Sequence, residues 1–154
     1  MTAKRCAGIL LYRYADGVLE VLLGHPGGPY FARKDDGVWT IPKGEVDPGE
    51  DELAAAHREF TEEIGTAPPD GDPVPLGETV QSNGKTAVVW ALAGDLDADA
   101  AVCNLFEMEW PPRSGLMQSF PELDRAAWFD VETARRKAFA SQAPFFDRLV
   151  QALA

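Results

Sequence analysis

Short apolar runs separated by turn signals make up most of this chain, with one long stretch of helical periodicity near the middle. Ala7 to Tyr14 and Val18 to Gly24 are rich in aliphatic residues and meet through Ala15-Asp16-Gly17, which predicts two strands joined as a hairpin. His25 to Gly37 holds Gly27-Gly28-Pro29 and Asp35-Asp36-Gly37, so it reads as a surface loop before a short strand at Val38 to Ile41. From Asp51 to Ile64 the period changes. Leu53, Ala56, Phe60 and Ile64 recur at spacings of three and four, one stripe of an amphipathic helix, and Gly65 stops it. Pro68-Pro69 and Asp70-Gly71 prevent continuation. Val74 to Gln81 and Thr86 to Ala93 then pair as strands across Ser82-Asn83-Gly84-Lys85, where Asn-Gly is a strong hairpin signal. Beyond a polar loop near Asp95 to Asp99, Val102 to Trp110 reads as a strand, Pro111 to Gly115 opens a long loop, and Ala126 to Phe129 returns to strand. Asp130 is positioned to cap a helix starting at Val131, and Pro144 suits the first turn of a last helix whose Phe145, Leu149 and Leu153 share a face. This order predicts an α/β fold, a mixed β-sheet covered by helices on two faces.

Composition narrows the class. A chain of 154 residues, 45% of them hydrophobic, can bury a real core and predicts one domain over residues 1–154. No apolar run approaches the roughly 18 residues of a membrane span. The nearest thing to a signal peptide, Lys4-Arg5 followed by Cys6 to Tyr12, is closed by Arg13 without a small-residue cleavage site and reads as the first strand. Two cysteines, Cys6 and Cys103, imply no disulfide framework but buried thiols in a reducing, cytoplasmic setting. A net charge of −11 argues against gripping long nucleic acid through Lys and Arg, yet leaves small phosphorylated substrates open. An acidic protein that handles an anionic polyphosphate needs a divalent cation between the two, and carboxylates suit Mg²⁺.

The candidate chemistry is concentrated between Gly44 and Gly65. Gly44 is followed by five residues, Glu50, seven residues, Arg58-Glu59-Phe60, Thr61, Glu62-Glu63, Ile64 and Gly65. On a helix Glu59, Glu62 and Glu63 stand at i, i+3 and i+4, so three like charges crowd onto one face, at a cost of about 0.2–0.5 kcal/mol per pair. A bound cation is the natural compensation, and hard oxygen ligands select Mg²⁺ or Mn²⁺. Arg58, four residues before Glu62 and within loop reach of Glu50, can fix the Gly44 to Gly49 loop against the helix. Gly44 lets backbone approach a metal or phosphate, with its carbonyl available as a further ligand. An ordinary solvated acidic face is the bland alternative. Seven fixed residue types matching this spacing by chance, at about 10⁻⁸ to 10⁻⁹ per starting position, set it aside. Calcium loops space their ligands along a loop rather than a helix face, which disfavours a purely structural Ca²⁺ site.

This segment resembles the Nudix box, the signature of hydrolases that cleave nucleoside diphosphates linked to another moiety. Every charged and glycine position matches; Thr66 departs, standing where the family usually has an aliphatic residue. The resemblance implies a Nudix-type α/β/α sandwich in which Glu59 and Glu63 bind Mg²⁺ and Glu62 binds a further metal or acts as general base. It also implies that Glu50 and Arg58 form a structural pair and that a glutamate beyond the box takes part, for which Glu122 is the candidate. Trp39-Thr40-Ile41-Pro42-Lys43 looks like the context found in members acting on diadenosine polyphosphates, with Lys43 touching phosphate and Trp39 in the core. Tyr30, in a glycine-rich loop, is a candidate for stacking on a nucleobase, and Arg113 for contacting phosphate. The expected reaction is Mg²⁺-dependent hydrolysis of a diphosphate linkage in a small nucleotide-type substrate, with no membrane partner. Alternatives are a nucleoside triphosphate, ADP-ribose or sugar-nucleotide pyrophosphatase, or a non-catalytic nucleotide-binding domain.

Overall fold

A computed structural model describes residues 4–154. Its centre is β1 (Arg5–Ala15), whose eleven residues serve three partners. Along one edge β1 runs parallel to β5 (Thr86–Ala93), from Arg5↔Thr86 to Tyr12↔Ala93. The other edge is divided. Its far half, Tyr12 to Ala15, forms the predicted hairpin with β2 (Val18–Pro26), while Cys6 to Gly8 pair with the short β3 (Lys43–Glu45). The sheet therefore splays at Gly8, where a Cβ would come within 2.6 Å of the Pro42 carbonyl and the Lys43 side chain. β4 (Val74–Val80) and β8 (Leu123–Asp130) extend the two ends, giving the order β4-β5-β1-β2-β8.

Alternation along the strands divides the apolar residues between two cores. Ala7, Ile9 and Leu11 of β1, with Leu22 of β2, pack against Ala55, Ala56, Phe60 and Ile64 of α1 (Glu52–Ile64). Leu10, Val21 and Leu23 face the opposite way, toward Ala134 of α2 (Val131–Lys137) and Phe145, Phe146 and Leu149 of α3 (Ala143–Leu153). This is the expected α/β/α layering, and no helix of the described residues is long and apolar enough to cross a membrane. The Asp130 cap and the Gly65 stop fall where the sequence placed them: the Asp130 side chain accepts from the Thr133 amide, and Gly65 ends α1 at φ 86°. Asp51, expected as the first helical residue, instead caps α1 by accepting from the Ala54 amide.

Three elements differ from expectation. Val38 to Ile41 forms only isolated bridges, because Thr40 exchanges backbone hydrogen bonds with Gly24 while Trp39 pairs with the Lys137–Phe139 segment and Pro42 has no amide to continue a ladder. Regular pairing begins at Lys43 instead. The strand expected at Val102 shortens to β6 (Leu105–Glu109), since the amides of Val102 and Asn104 donate to Ile64 and Glu62, the last carbonyls of α1. The long loop after Pro111 contains β7 (Met117–Pro121), which pairs with β6 as a separate arm. β7 is largely exposed, so no alternation of apolar residues announces it.

Candidate active site

The site forms where β3, α1 and the β7–β8 junction meet, beside the splay in the sheet. Helical spacing brings Glu59, Glu62 and Glu63 together as expected, but not equally. Phe60 and Ile64 draw their side of α1 into the core, and Glu63, between them, is 7% exposed. Glu59 is also largely covered, its side chain 12% exposed, whereas Glu62 keeps 41%.

Arg58 organises the outer side. Nε and Nη2 each donate to a separate oxygen of Glu50 at 2.9 Å, a bidentate pair, and Nη2 also reaches the Glu45 carbonyl at 3.1 Å. Glu50 accepts the Asp47 amide at 3.0 Å as well, which closes the loop as the sequence predicted. Arg58 with this amide holds the Glu50 carboxyl down at about 2. From the same guanidinium Nη1 donates to Glu59 at 2.8 Å and to Glu62 at 3.4 Å, so one side chain ties the loop to two of the three helix carboxylates.

Glu63 has no such partner. Its Oε2 is buried without a hydrogen bond, and burial, reinforced by Glu59 and Glu122, pushes its carboxyl well above the usual glutamate range against the opposing pull of Lys43. Burial likewise raises Glu59, against its bond to Arg58, and raises Glu122, with Glu62 adding to it. Glu122 thus joins the helix carboxylates, fixed at the turn between β7 and β8 by hydrogen bonds from its amide to Asn104 and from Gly27 to its carbonyl. A Cβ at Gly44 would land on the Glu59 carboxylate, so the glycine leaves the space this side chain fills. Lys43 lies largely covered beside Glu63 and Glu59; its ammonium is lowered by burial, which these carboxylates oppose.

An unpaired buried carboxylate oxygen among further carboxylates is costly unless a cation meets it, and a hard, oxygen-preferring divalent ion fits this donor set. Among the described residues no three acidic, thiol or imidazole side chains converge on a single point. Glu59 and Glu62 turn toward Arg58 instead.

The outer candidates lie farther off. Tyr30 is exposed and stands edge-on to Trp110 at 5.3 Å, beside the β6–β7 arm. Arg113 sits in the tip of that arm, where its amide donates to Glu109 at 2.6 Å. Five residues of β7 separate this tip from Glu122, on the order of 17 Å at strand rise, so the structure does not bring Arg113 to the carboxylates. Trp39 is in the core as expected, with Nε1 bonded to Asp35.

Sequence reasoning missed His25. Its ring is fully buried, with Nδ1 2.9 Å from Asp124 and Nε2 2.6 Å from the Lys34 carbonyl, and so ties the 25–37 loop to β8 two residues after Glu122. No local signal links residues so distant in sequence. The Cys103 thiol, accepting the Leu123 amide, was expected only as a buried thiol; burial beside Glu63 and Glu122 pushes it up to about 11.

Residues 3–149 match the NUDIX domain. The chain is 29% identical over 150 residues to an RNA pyrophosphohydrolase of Rhodospirillum rubrum, covering 92% of this chain and 87% of that one. It is 46% identical over 59 residues to the asymmetrical bis(5'-nucleosyl)-tetraphosphatase of Caenorhabditis elegans, a match covering 38% of each. A crystal structure of a C. elegans Ap4A hydrolase binary complex superposes with a TM-score of 0.68 at 25% identity, covering 96% of this chain and 97% of that one. The NUDIX domain of Shewanella oneidensis NrtR, complexed with ADP ribose, gives 0.67 at 16% identity over 100% of this chain and 90% of that one, a likeness of fold. With the box glutamates gathered around the β3–α1 junction and the match running from end to end, this chain belongs to the NUDIX-domain family and is a hydrolase.

Proposed function

We propose that this protein is a Mg²⁺-dependent pyrophosphohydrolase, with Mn²⁺ able to substitute, that cleaves a phosphoanhydride in a small nucleotide-type substrate, a diadenosine polyphosphate foremost. The observation that carries the reading is the buried, unpartnered Oε2 of Glu63 among Glu59, Glu122 and Lys43. Glu59 and Glu63 would hold the divalent ion, with Glu62 and the Gly44 carbonyl as further ligands available to it. When bound, the ion neutralises diphosphate oxygens and lowers the pKa of a water.

The protein's own groups do the rest. Lys43 contacts a phosphoryl oxygen from a partly dehydrated position, where a point charge acts strongly. Arg58 and Glu50 keep the loop seated on α1, so that Glu59 holds one orientation. Glu122 or Glu62 takes the proton from the attacking water. Glu122 is the more covered of the two, its carboxyl raised by burial with Glu62 adding to it, and it faces the helix carboxylates from the β7–β8 turn. Tyr30, exposed beside Trp110, offers a face to a nucleobase, and Arg113 approaches only substrates long enough to follow the arm.

A second reading is hydrolysis at the 5' end of RNA, favoured by the length of the match to the R. rubrum RNA pyrophosphohydrolase. The charge of −11 then limits contact to the terminal phosphates rather than the following chain. Two free thiols are compatible with a reducing cytoplasm. The test is a phosphate-release screen with Mg²⁺ over dinucleoside polyphosphates, nucleoside triphosphates, ADP-ribose and 5'-triphosphate RNA, with product masses locating the broken bond. Highest kcat/KM on dinucleoside polyphosphates is expected. No turnover of any of them, together with micromolar binding of one, would replace the enzyme reading with a nucleotide sensor.

A further inference from the structure

The ladder between β2 and β8 is regular except at one point, and that point lies beside Glu122. His25 pairs with Arg125, yet Pro26 pairs with Leu123, so Asp124 is an extra residue on β8 with no partner of its own. A bulge of this kind bends its strand and re-aims the side chains next to it. Pro26 has no amide with which to continue the ladder. The Gly27 amide takes up the pairing instead, donating to the Glu122 carbonyl at 2.9 Å.

His25 pins the bulge. Its ring is fully buried, with Nδ1 2.9 Å from the Asp124 carboxylate and Nε2 donating to the Lys34 carbonyl at 2.6 Å. Both partners are acceptors, so the ring makes the two ties together with a proton on each nitrogen, and Asp124 meets the charge. Trp39 packs against the ring in a T-shaped arrangement, centroids 5.1 Å apart, which fixes its plane. The side chain of the extra residue is thereby held two positions from Glu122.

Gly27 completes the hold. A Cβ there would lie 1.8 Å from the Pro121 carbonyl, which is backbone and cannot rotate aside, so a larger residue must displace the turn that carries Glu122. From α1 comes a second constraint. The Glu122 amide donates to the Asn104 carbonyl at 3.0 Å, and the Asn104 amide to the Glu62 carbonyl at 3.0 Å. β2 thus holds the carbonyl of Glu122, and α1, through Asn104, holds its amide. Between these ties the Glu122 carboxylate acts on both Glu59 and Glu63.

We propose that His25, together with Gly27, is a positioning residue for Glu122: by pinning the Asp124 bulge it aims the Glu122 carboxylate at the helix carboxylates, where the attacking water gives up its proton. The inference rests on the reading of the carboxylate site as a phosphoanhydride hydrolase with Glu122 as proton acceptor. His25 acts only through its neighbours, since its ring is fully buried and both nitrogens are engaged. The tie to Lys34 also seats the loop that carries Tyr30. The two roles differ in kinetics: seating a substrate-binding loop governs KM, whereas aiming the proton acceptor governs kcat.

The experiment is a mutant cycle on the full chain, with Mg²⁺ and diadenosine tetraphosphate: His25→Ala and Gly27→Ala, each alone and combined with Glu122→Gln. Alone, each should lower kcat by about ten- to a hundredfold and change KM by less than about threefold. In the Glu122→Gln background each should lower kcat by less than about twofold further, because the group it acts through is already lost. Amide hydrogen exchange needs no substrate: in His25→Ala the Gly27 and Glu122 amides should lose about tenfold in protection while those of α1 keep theirs. Gly27→Ala retains the buried ring and decides both measurements, at the Glu122 amide, if His25→Ala does not fold. Full additivity with Glu122→Gln overturns the proposal, as does a rise in KM at unchanged kcat, or unchanged exchange in the folded variants. Should wild type hydrolyse none of the nucleotides in the phosphate-release screen, the reading of the active site fails, while the exchange measurement still decides whether His25 holds the turn.

Discussion

Glu50 and Glu63 are carboxylates on either side of the same arginine, and the protein treats them oppositely. Glu50 receives two nitrogens of Arg58 and a backbone amide, and its carboxyl is held at about 2. Glu63 is carried into the apolar flank of α1, where one oxygen meets no donor and burial makes ionisation unfavourable. The first arrangement is satisfied within the chain and therefore serves as scaffold. The second is unsatisfied within the chain, and a buried charge of that kind is retained where something from outside completes it.

The largest way to break this contrast is Glu63→Gln. It keeps the shape and removes the charge, so kcat on the confirmed substrate should fall by about a thousandfold in steady-state assays with Mg²⁺. The same variant tests the electrostatics with the opposite sign. A carboxyl whose folded pKa is raised binds more protons folded than unfolded, so metal-free wild type loses stability as pH rises from the ordinary glutamate range through the raised folded value. Metal-free Glu63→Gln should therefore melt a few degrees above wild type at pH 8 and level with it near pH 4, by scanning calorimetry in chelator.

A smaller effect is expected from Gly44→Ala. The added methyl meets the Glu59 carboxylate and not the core, so kcat should drop by about a hundredfold while the melting temperature changes little. On the satisfied side the effect is spectroscopic. Depressed in the fold, the Glu50 carboxylate contributes stability that is fully present above its unfolded value and is lost progressively as pH falls from there through about 2. A carboxyl-carbon NMR titration should find Glu50 still ionised at pH 3, and in Arg58→Met it should titrate in the ordinary glutamate range.

Legibility in the sequence followed the range of the interactions. The box helix, its Gly65 stop and the Arg58–Glu50 pair rest on contacts within about fifteen residues, and spacing alone displayed them. β7 was missed because an arm exposed on both faces has no apolar alternation to read. The Val38–Ile41 segment was misread because its apolar residues serve two different partners, neither adjacent in sequence. Within the site, crowding of the three glutamates was visible; that Glu63 alone would be buried was not, since it depends on Phe60 and Ile64 turning that flank toward β1. The His25–Asp124 contact joins residues 99 positions apart, and no local pattern carries such a pairing.

Binding of Mn²⁺ followed by electron paramagnetic resonance, in wild type and in Glu63→Gln, bears most directly on the claim that the unsatisfied carboxylate is where the cation belongs. Wild type should bind the ion and the variant should bind it at least about tenfold more weakly. Equal affinity in the two proteins would contradict the account.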